Sequence, residues 1–317
     1  MPSITLPQDV HTRPATPEDA QAICAMQVEH ELAAMGISES TPADVLEQWK
    51  EEGTDLTRDT LVVTTPEDEI VGFTGVAATQ RGVMLDAHTG VRLAYKDQSI
   101  VSSLLHFAEE RAHALLAAHA ETRRLLYAWS FTPDFTHVLE QHGFTVEASD
   151  FRMRIVLDTP PPSPRSLEGI TIRPFVRGQE ERAVYDVIAE AFPDIDGEPY
   201  RPYEDWYEGV FVKSSSFEPA MLSVAEADGQ VVGTILCRFW PDAADGHIWQ
   251  VAVRRAWRKR GIALNLLYTA FGEYYRRGIR QVILDVDVTN QTGAQELYLR
   301  AGMYVRSQTD YMTRTLE

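Results

Sequence analysis

The stretch that decides the fold is Arg254-Arg255-Ala256-Trp257-Arg258-Lys259-Arg260-Gly261-Ile262-Ala263. Five of the seven residues from 254 to 260 are basic, in a 317-residue chain of formal net charge −18. On its N-terminal side, Ile248–Val253 reads as a strand. On its C-terminal side, Ile262, Leu266, Leu267, Ala270 and Tyr274 share one face of a helix predicted over Gly261–Arg277. Basic side chains just ahead of a helix are unfavourable, because that end of the helix already carries partial positive charge. A bound anion removes the conflict. The free N–H groups of the first turn then grip phosphate oxygens, and Gly261 lets the backbone come close. The alternative is a solvated basic turn.

Working outward, the second half alternates strand and helix. Gly169–Arg173 reads as a strand and Glu180–Phe192 as a helix. Met221–Glu226 and Val231–Phe239 form a hairpin turning at Asp228-Gly229. Beyond the basic loop come a strand (Gln281–Val288), a helix (Gly293–Arg300) and a last strand (Tyr304–Arg314). This order predicts a mixed α/β sheet flanked by helices.

The first half repeats the pattern. Thr12-Arg13-Pro14 is echoed by Ile172-Arg173-Pro174, Ile70-Val71-Gly72 by Val231-Val232-Gly233, Ile100 and Leu104-Leu105 by Ile262 and Leu266-Leu267, and Gly143-Phe144 by Gly302-Met303, at offsets near 160. A nearly constant offset across four matches points to a duplicated domain. Between the halves lies Thr159–Ser166, TPPPSPRS, whose prolines favour extended chain. The expected division is 1–158, a linker at 159–168, and 169–317.

The motif Arg258-Lys259-Arg260-Gly261-Ile262-Ala263 resembles the acyl-CoA loop of the GNAT superfamily of N-acetyltransferases, Arg/Gln-x-x-Gly-x-Gly/Ala after a strand. A second motif, Asn290 with Ala294, Leu297, Tyr298 and Gly302-Met303, resembles that family's Asn-x-x-(x)-Ala-x-x-Leu-Tyr-x-x-x-Gly-Phe, with Met303 a conservative departure. The resemblance covers roughly the last 70 residues. It implies two tandem GNAT-like domains, arranged as in the tandem-domain mycothiol synthases, with acetyl-CoA as co-substrate and no metal. It also implies that backbone N–H groups of the Val251-Ala252-Val253 strand hold the acyl carbonyl and pantetheine. Arg258 to Ala263 would hold the pyrophosphate, Asn290 would contact the cofactor, and Tyr298 would lie near the sulfur.

His247 opens the strand, and strict alternation would put it on one face with Trp249, Val251 and Val253. An ordinary pKa of ~6.5 suits it as a general base, with Asp285, Asp287 and Glu226 in reserve; a structural histidine is the plainer alternative. In the first half the loop reads Lys96-Asp97-Gln98-Ser99-Ile100-Val101, so both small positions are altered and an acid stands where phosphate would bind. At an offset of 159, Asn290 maps to Phe131 and Tyr298 to Leu139. That half reads as a degenerate scaffold.

Residues 190–218 carry Glu190, Asp194, Asp196, Glu198, Glu204, Asp205, Glu208 and Glu218 with Tyr200, Tyr203, Trp206, Tyr207 and Phe211, against Arg201 and Lys213. Such a cover suits a cationic amine; Tyr203 and Trp206 within it, together with Glu226 beyond it, are the expected substrate contacts. The acidic balance argues against nucleic acid. No apolar run approaches the ~18–20 residues of a membrane helix. Cys24 and Cys237 are isolated, as suits a reducing compartment. The expectation is a cytoplasmic N-acetyltransferase acting on a small amine, a monomer in which the fused pair stands in for a dimer. The competing expectation is a non-catalytic acyl-CoA-binding sensor.

Overall fold

The computed structural model describes residues 9–35, 38, 40–50, 54–78, 85–95, 98–118, 125–193, 200–212, 217–238, 245–290 and 292–316. Lys96, Asp97, Asp194, Asp196, Glu198, Lys213 and Phe239, singled out above, lie outside them. The chain forms two compact units: Met1–Ser149 with Ser307–Glu317, and Asp150–Arg306.

In the first unit the elements are β1 (His11–Arg13), α1 (Ala20–Met35), α2 (Pro42–Gln48), α3 (Leu56–Asp59), β2 (Thr60–Thr64), β3 (Ile70–Ala78), β4 (Leu85–Val91), α4 (Gln98–Ala118), β5 (Leu125–Ser130), α5 (Pro133–Gln141) and the start of β6 (Thr145–Val156). The second unit continues with β7 (Thr171–Pro174), α6 (Glu181–Ala191), α7 (Tyr203–Tyr207), β8 (Phe217–Ala227), β9 (Gln230–Arg238), β10 (Asp245–Val253), α8 (Ile262–Arg276), β11 (Gln281–Asp287), α9 (Ala294–Arg300) and the start of β12 (Tyr304–Thr315). Every helix and strand expected in the second half is present, with ends displaced by a few residues.

The boundaries expected at 158 and 169 do not coincide with those of the compact units, and the reason is strand exchange. The second half of β6 pairs antiparallel with β11, from Val156↔Gln281 to Asp150↔Asp287. The end of β12 pairs with β5, from Asp310↔Ser130 to Thr315↔Leu125. Each unit therefore takes its last strand from the other half of the sequence. The proline-rich segment belongs to the second unit and is pinned there: Asn265 of α8 accepts from the Arg165 N–H (2.9 Å) and donates to its carbonyl (2.8 Å).

In the second unit the order is β6-β11-β10-β9-β8-β7. β10–β11 is a parallel pair that ends at His247↔Ile283, whereas β9–β10 runs on to Val253↔Gly233. Beyond His247 the two strands thus diverge. Leu266, Leu267, Phe271 and Tyr274 of α8 are fully buried against one face of this sheet, with Val282, Leu284 and Val286. α6 and α7 cover the other face through Val184, Val187, Ile188 and Trp206.

Candidate active site

A β-bulge in β10 arranges the site. The register against β9 shifts between Ile248↔Cys237 and Gln250↔Leu236, leaving Trp249 as the extra residue. A Cβ at Gly246 would run into the Tyr274 ring, so Gly246 faces α8 and its neighbour His247 faces the opposite side. After the bulge the phase is reversed: Val251 and Val253 pack in the α8 cluster, while Ala252 and Trp249 pack with α6 and α7. The expected shared face of His247, Trp249, Val251 and Val253 is therefore corrected. The first pair and the second pair point to opposite sides.

The backbone beyond the bulge is unpaired toward β11. The Arg254 N–H bonds to the Val232 carbonyl (2.9 Å) on the β9 side. By alternation the Ala252 N–H also points to β9, and those of Val251 and Val253 point into the gap between the diverging strands. These are two fixed donors aimed into a cleft.

Downstream, Lys259 (φ 62°) and Gly261 (φ 83°) adopt left-handed backbone on either side of Arg260. α8 starts with no side-chain cap, and its first helical bond is from the Asn265 N–H to the Gly261 carbonyl (3.1 Å). The N–H groups of Ile262, Ala263 and Leu264 have no partner within the helix. Arg258 Nε donates to the Val253 carbonyl (3.2 Å), and the Arg260 guanidinium lies 4.6 Å from the Trp257 ring centre. Arg254 plays a different part. Glu190 of α6 accepts from its guanidinium (2.7 Å) and from the Arg255 N–H (2.8 Å), bracing the entry to the loop. Glu190, counted above in an acidic cover, is a strut of this loop.

On the face opposite α8, His247 Nε2 lies 3.7 Å from Asp285 Oδ2. Arg152 of β6 grips Asp285 with two bonds, at 2.8 and 3.0 Å. Burial pushes the His247 imidazole down to about 4, against the opposing pull of Asp285. Asp245 is 8% exposed, its pKa is raised by burial, and its nearest cation is Arg154 at 3.8 Å. The Trp249 ring lies 4.2 Å from the Arg238 guanidinium carbon and 5.6 Å from that of Arg201. Arg152, Arg154, Asp245 and Arg238 were missed by sequence reasoning. The two β6 arginines precede the proline-rich segment and carry no motif, and only the β6–β11 ladder brings them here.

Tyr298 sits on α9 at 9% exposure, and burial raises its phenol to about 12. The Asn290 side-chain oxygen accepts from the N–H (2.8 Å) and hydroxyl of Thr292, shaping the turn into α9. Asp287 likewise accepts from Thr289.

The expected acceptor contacts fare differently. Trp206 is fully buried in the α6–α7 core, which corrects its assignment to the substrate. Glu226 holds Arg173, and it pairs with Val231 whereas His247 pairs with Arg238. At ~3.3 Å per residue these are opposite ends of β9, roughly 23 Å apart, so Glu226 is neither base nor substrate contact. Tyr203 remains half-exposed, with the Arg182 guanidinium 5.0 Å from its ring centre. The Tyr200 hydroxyl accepts from Gln250 (2.7 Å).

A family model described as the acetyltransferase (GNAT) family matches residues 182–303. The chain is 31% identical to the mycothiol acetyltransferase of Stackebrandtia nassauensis over 224 residues, covering 65% of this chain and 69% of that one. It is 30% identical to the mycothiol acetyltransferase of Thermobispora bispora over 202 residues, covering 60% of this chain and 64% of that relative, a little under two thirds of its length. The crystal structure of a GCN5-related N-acetyltransferase from Sphaerobacter thermophilus superposes with a TM-score of 0.78 at 33% identity, covering 99% of this chain and 98% of that one. The chain belongs to the GNAT acetyltransferase family.

Proposed function

We propose that the second unit transfers an acetyl group from acetyl-CoA to a primary amine by direct attack in a ternary complex. The observation that carries this reading is the bulged β10 leading into an uncapped α8 beneath a basic loop. The N–H groups of Val251 and Val253 suit the thioester carbonyl and pantetheine arm, stabilising charge as it builds on the acyl oxygen. Those of Ile262 to Leu264, with Lys259 and Arg260, suit the pyrophosphate. Acetyl-CoA supplies the activated acyl group.

His247 is the base, accepting the amine proton directly or through a water, and Asp285, held by Arg152, stabilises the imidazolium that forms. Tyr298 acts on the departing thiolate as a hydrogen-bond donor. With its phenol near 12 and a free thiol near ~8.5, complete transfer would be roughly 5 kcal/mol uphill. The acceptor face carries both signs, with Arg152 set against Asp285 and Arg154 against Asp245. This supports a small polar amine rather than one chosen by net negative charge. Its relatives' names make the amine of a mycothiol precursor the first compound to try. A non-catalytic sensor would leave the His247–Asp285–Arg152 chain without a role.

The test is acetyl-CoA calorimetry on the native chain and on Gly261→Glu and Ser99→Glu variants, followed by an amine screen read by thiol release. One equivalent lost only with Gly261→Glu, and turnover of an amine, support the reading. Loss only with Ser99→Glu would sink it.

A further inference from the structure

The first unit contains a cavity of about 570 Å³, bounded by α1, α2, β4 and the turn from β5 into α5. That is within the range of small-molecule sites. Its construction can be compared with the second unit through the strand ladders. Val91 pairs with Gly72 as Val253 pairs with Gly233, which makes His88 the counterpart of Gln250. The β5–β12 and β6–β11 ladders, related by the offset of 159 between β6 and β12, make Trp129 the counterpart of Asp285 and Phe131 that of Asp287. β4 pairs with β3 without a register shift, so it has no equivalent of the Trp249 bulge.

At both matched β11 positions, then, a carboxylate has been exchanged for an aromatic ring. Trp129 and His88 pack at 4.7 Å between ring centres, and Phe73, Tyr95, Phe131 and Phe135 complete an aromatic wall. Burial pushes the His88 imidazole down to about 4, so it is neutral. The charged groups among the described lining residues are Glu31, Asp44, Asp134 and Arg92. The Arg92 guanidinium is engaged, donating from Nε to the Ile70 carbonyl (2.8 Å) and lying 3.5 Å from Glu69 and 3.8 Å from Glu29. Val101, where the second unit has Ala263, also lines the space.

We infer that this cavity is a second ligand site, one that takes a small aromatic molecule carrying no anionic group and does not take a nucleotide. Neutral aromatic walls suit the flat body of such a ligand. An anion would meet three carboxylates in this lining, and its one arginine is already engaged by Glu69 and Glu29, so burying the anion there is strongly unfavourable.

Two dyes with the same body and different charge test this on the full chain: neutral N-phenyl-1-naphthylamine and its sulfonated relative 8-anilinonaphthalene-1-sulfonate. With saturating acetyl-CoA present, the neutral dye is expected to bind one equivalent, at least roughly tenfold tighter than the sulfonate. Trp129→Ala is expected to weaken the neutral dye at least roughly tenfold. Asp134→Arg, an exposed change, is expected to leave the neutral dye unaffected and to tighten the sulfonate, and it decides the matter should Trp129→Ala not fold. Displacement of the neutral dye by acetyl-CoA, equal affinity for the two dyes, or indifference of both dyes to both variants would overturn the inference. Displacement by acetyl-CoA would also mark a nucleotide site; the Gly261→Glu variant, which alters the loop of the second unit alone, keeps that failure separate from failure of the catalytic reading.

Discussion

His247 is a histidine made weakly basic by its surroundings. Its folded pKa of about 4 lies below the unperturbed ~6.5, so it is neutral throughout the neutral range. The acidic limb of kcat/KM should therefore show no step near 6.5 from the free enzyme. Asp285 is the neighbour that raises this pKa, so Asp285→Asn should lower it further, as an NMR titration of the imidazole would read. His247→Gln should reduce kcat by roughly 10²–10⁴ while leaving acetyl-CoA binding intact; an unchanged kcat would assign the base elsewhere. In the proposed mechanism, Tyr298→Phe would remove a hydrogen bond to a developing thiolate, worth ~1.5–3 kcal/mol. Its kcat should fall by roughly 10- to 150-fold, with little change in affinity for the amine.

At the scale of elements, β10 and α8 are matched to one another at Gly246. Tyr274 is fully buried, and its single hydroxyl proton is shared between the carbonyls of Arg238 (2.8 Å) and His247 (2.9 Å), tying β9 and β10 where they carry the candidate site. Gly246 is the only residue type that leaves room for that ring. Gly246→Ala should cost about 1–3 kcal/mol through overpacking and lower the melting temperature. Gly272, inside α8, has nothing within 4 Å of an added Cβ. Gly272→Ala should act in the opposite sense, stabilising by about 0.4–1 kcal/mol. Paired thermal melts of the two variants check both signs.

For the whole molecule, strand exchange predicts how the chain can be cut. A fragment beginning at Thr159, the boundary suggested by the prolines, loses the strand that pairs with all of β11 and loses Arg152. It should be insoluble or unfolded, whereas a fragment beginning before Thr145 retains both. A chain ending at Arg306 should lose amide protection along β5, which pairs with the missing segment. Acid sensitivity follows from His88 and His247, both held near 4. The unfolded chain binds more protons than the folded one between ~6.5 and ~4. Stability should therefore be intact above ~6.5 and fall as pH drops toward 4, as urea unfolding at two pH values would show.

The order of helices and strands, the duplication, the basic loop before α8 and the Asn290–Tyr298 segment are legible in the sequence, because hydrophobic periodicity and backbone chemistry are local properties. The faces of β10 are not, since one inserted residue at Trp249 reverses the alternation and only pairing with β9 reveals it. The equation of Asn290 with Phe131 fails for a related reason: the ladders align Phe131 with Asp287, and the longer turn that carries Asn290 has no counterpart in the first unit. Composition marks Glu190 and Trp206 as part of an acidic and aromatic acceptor cover, and Glu226 is expected as a reserve base and substrate contact, yet they are a loop strut, a core residue and an ion-pair partner. Side-chain type does not say which neighbour a residue will meet. The sequence by itself determined the family, the basic loop ahead of α8 and the repeat. The tertiary structure alone decided the unit boundaries, the Arg152–Asp285–His247 chain and the aromatic cavity of the first unit, because each depends on pairing between strands far apart in the chain, and no local pattern encodes that register.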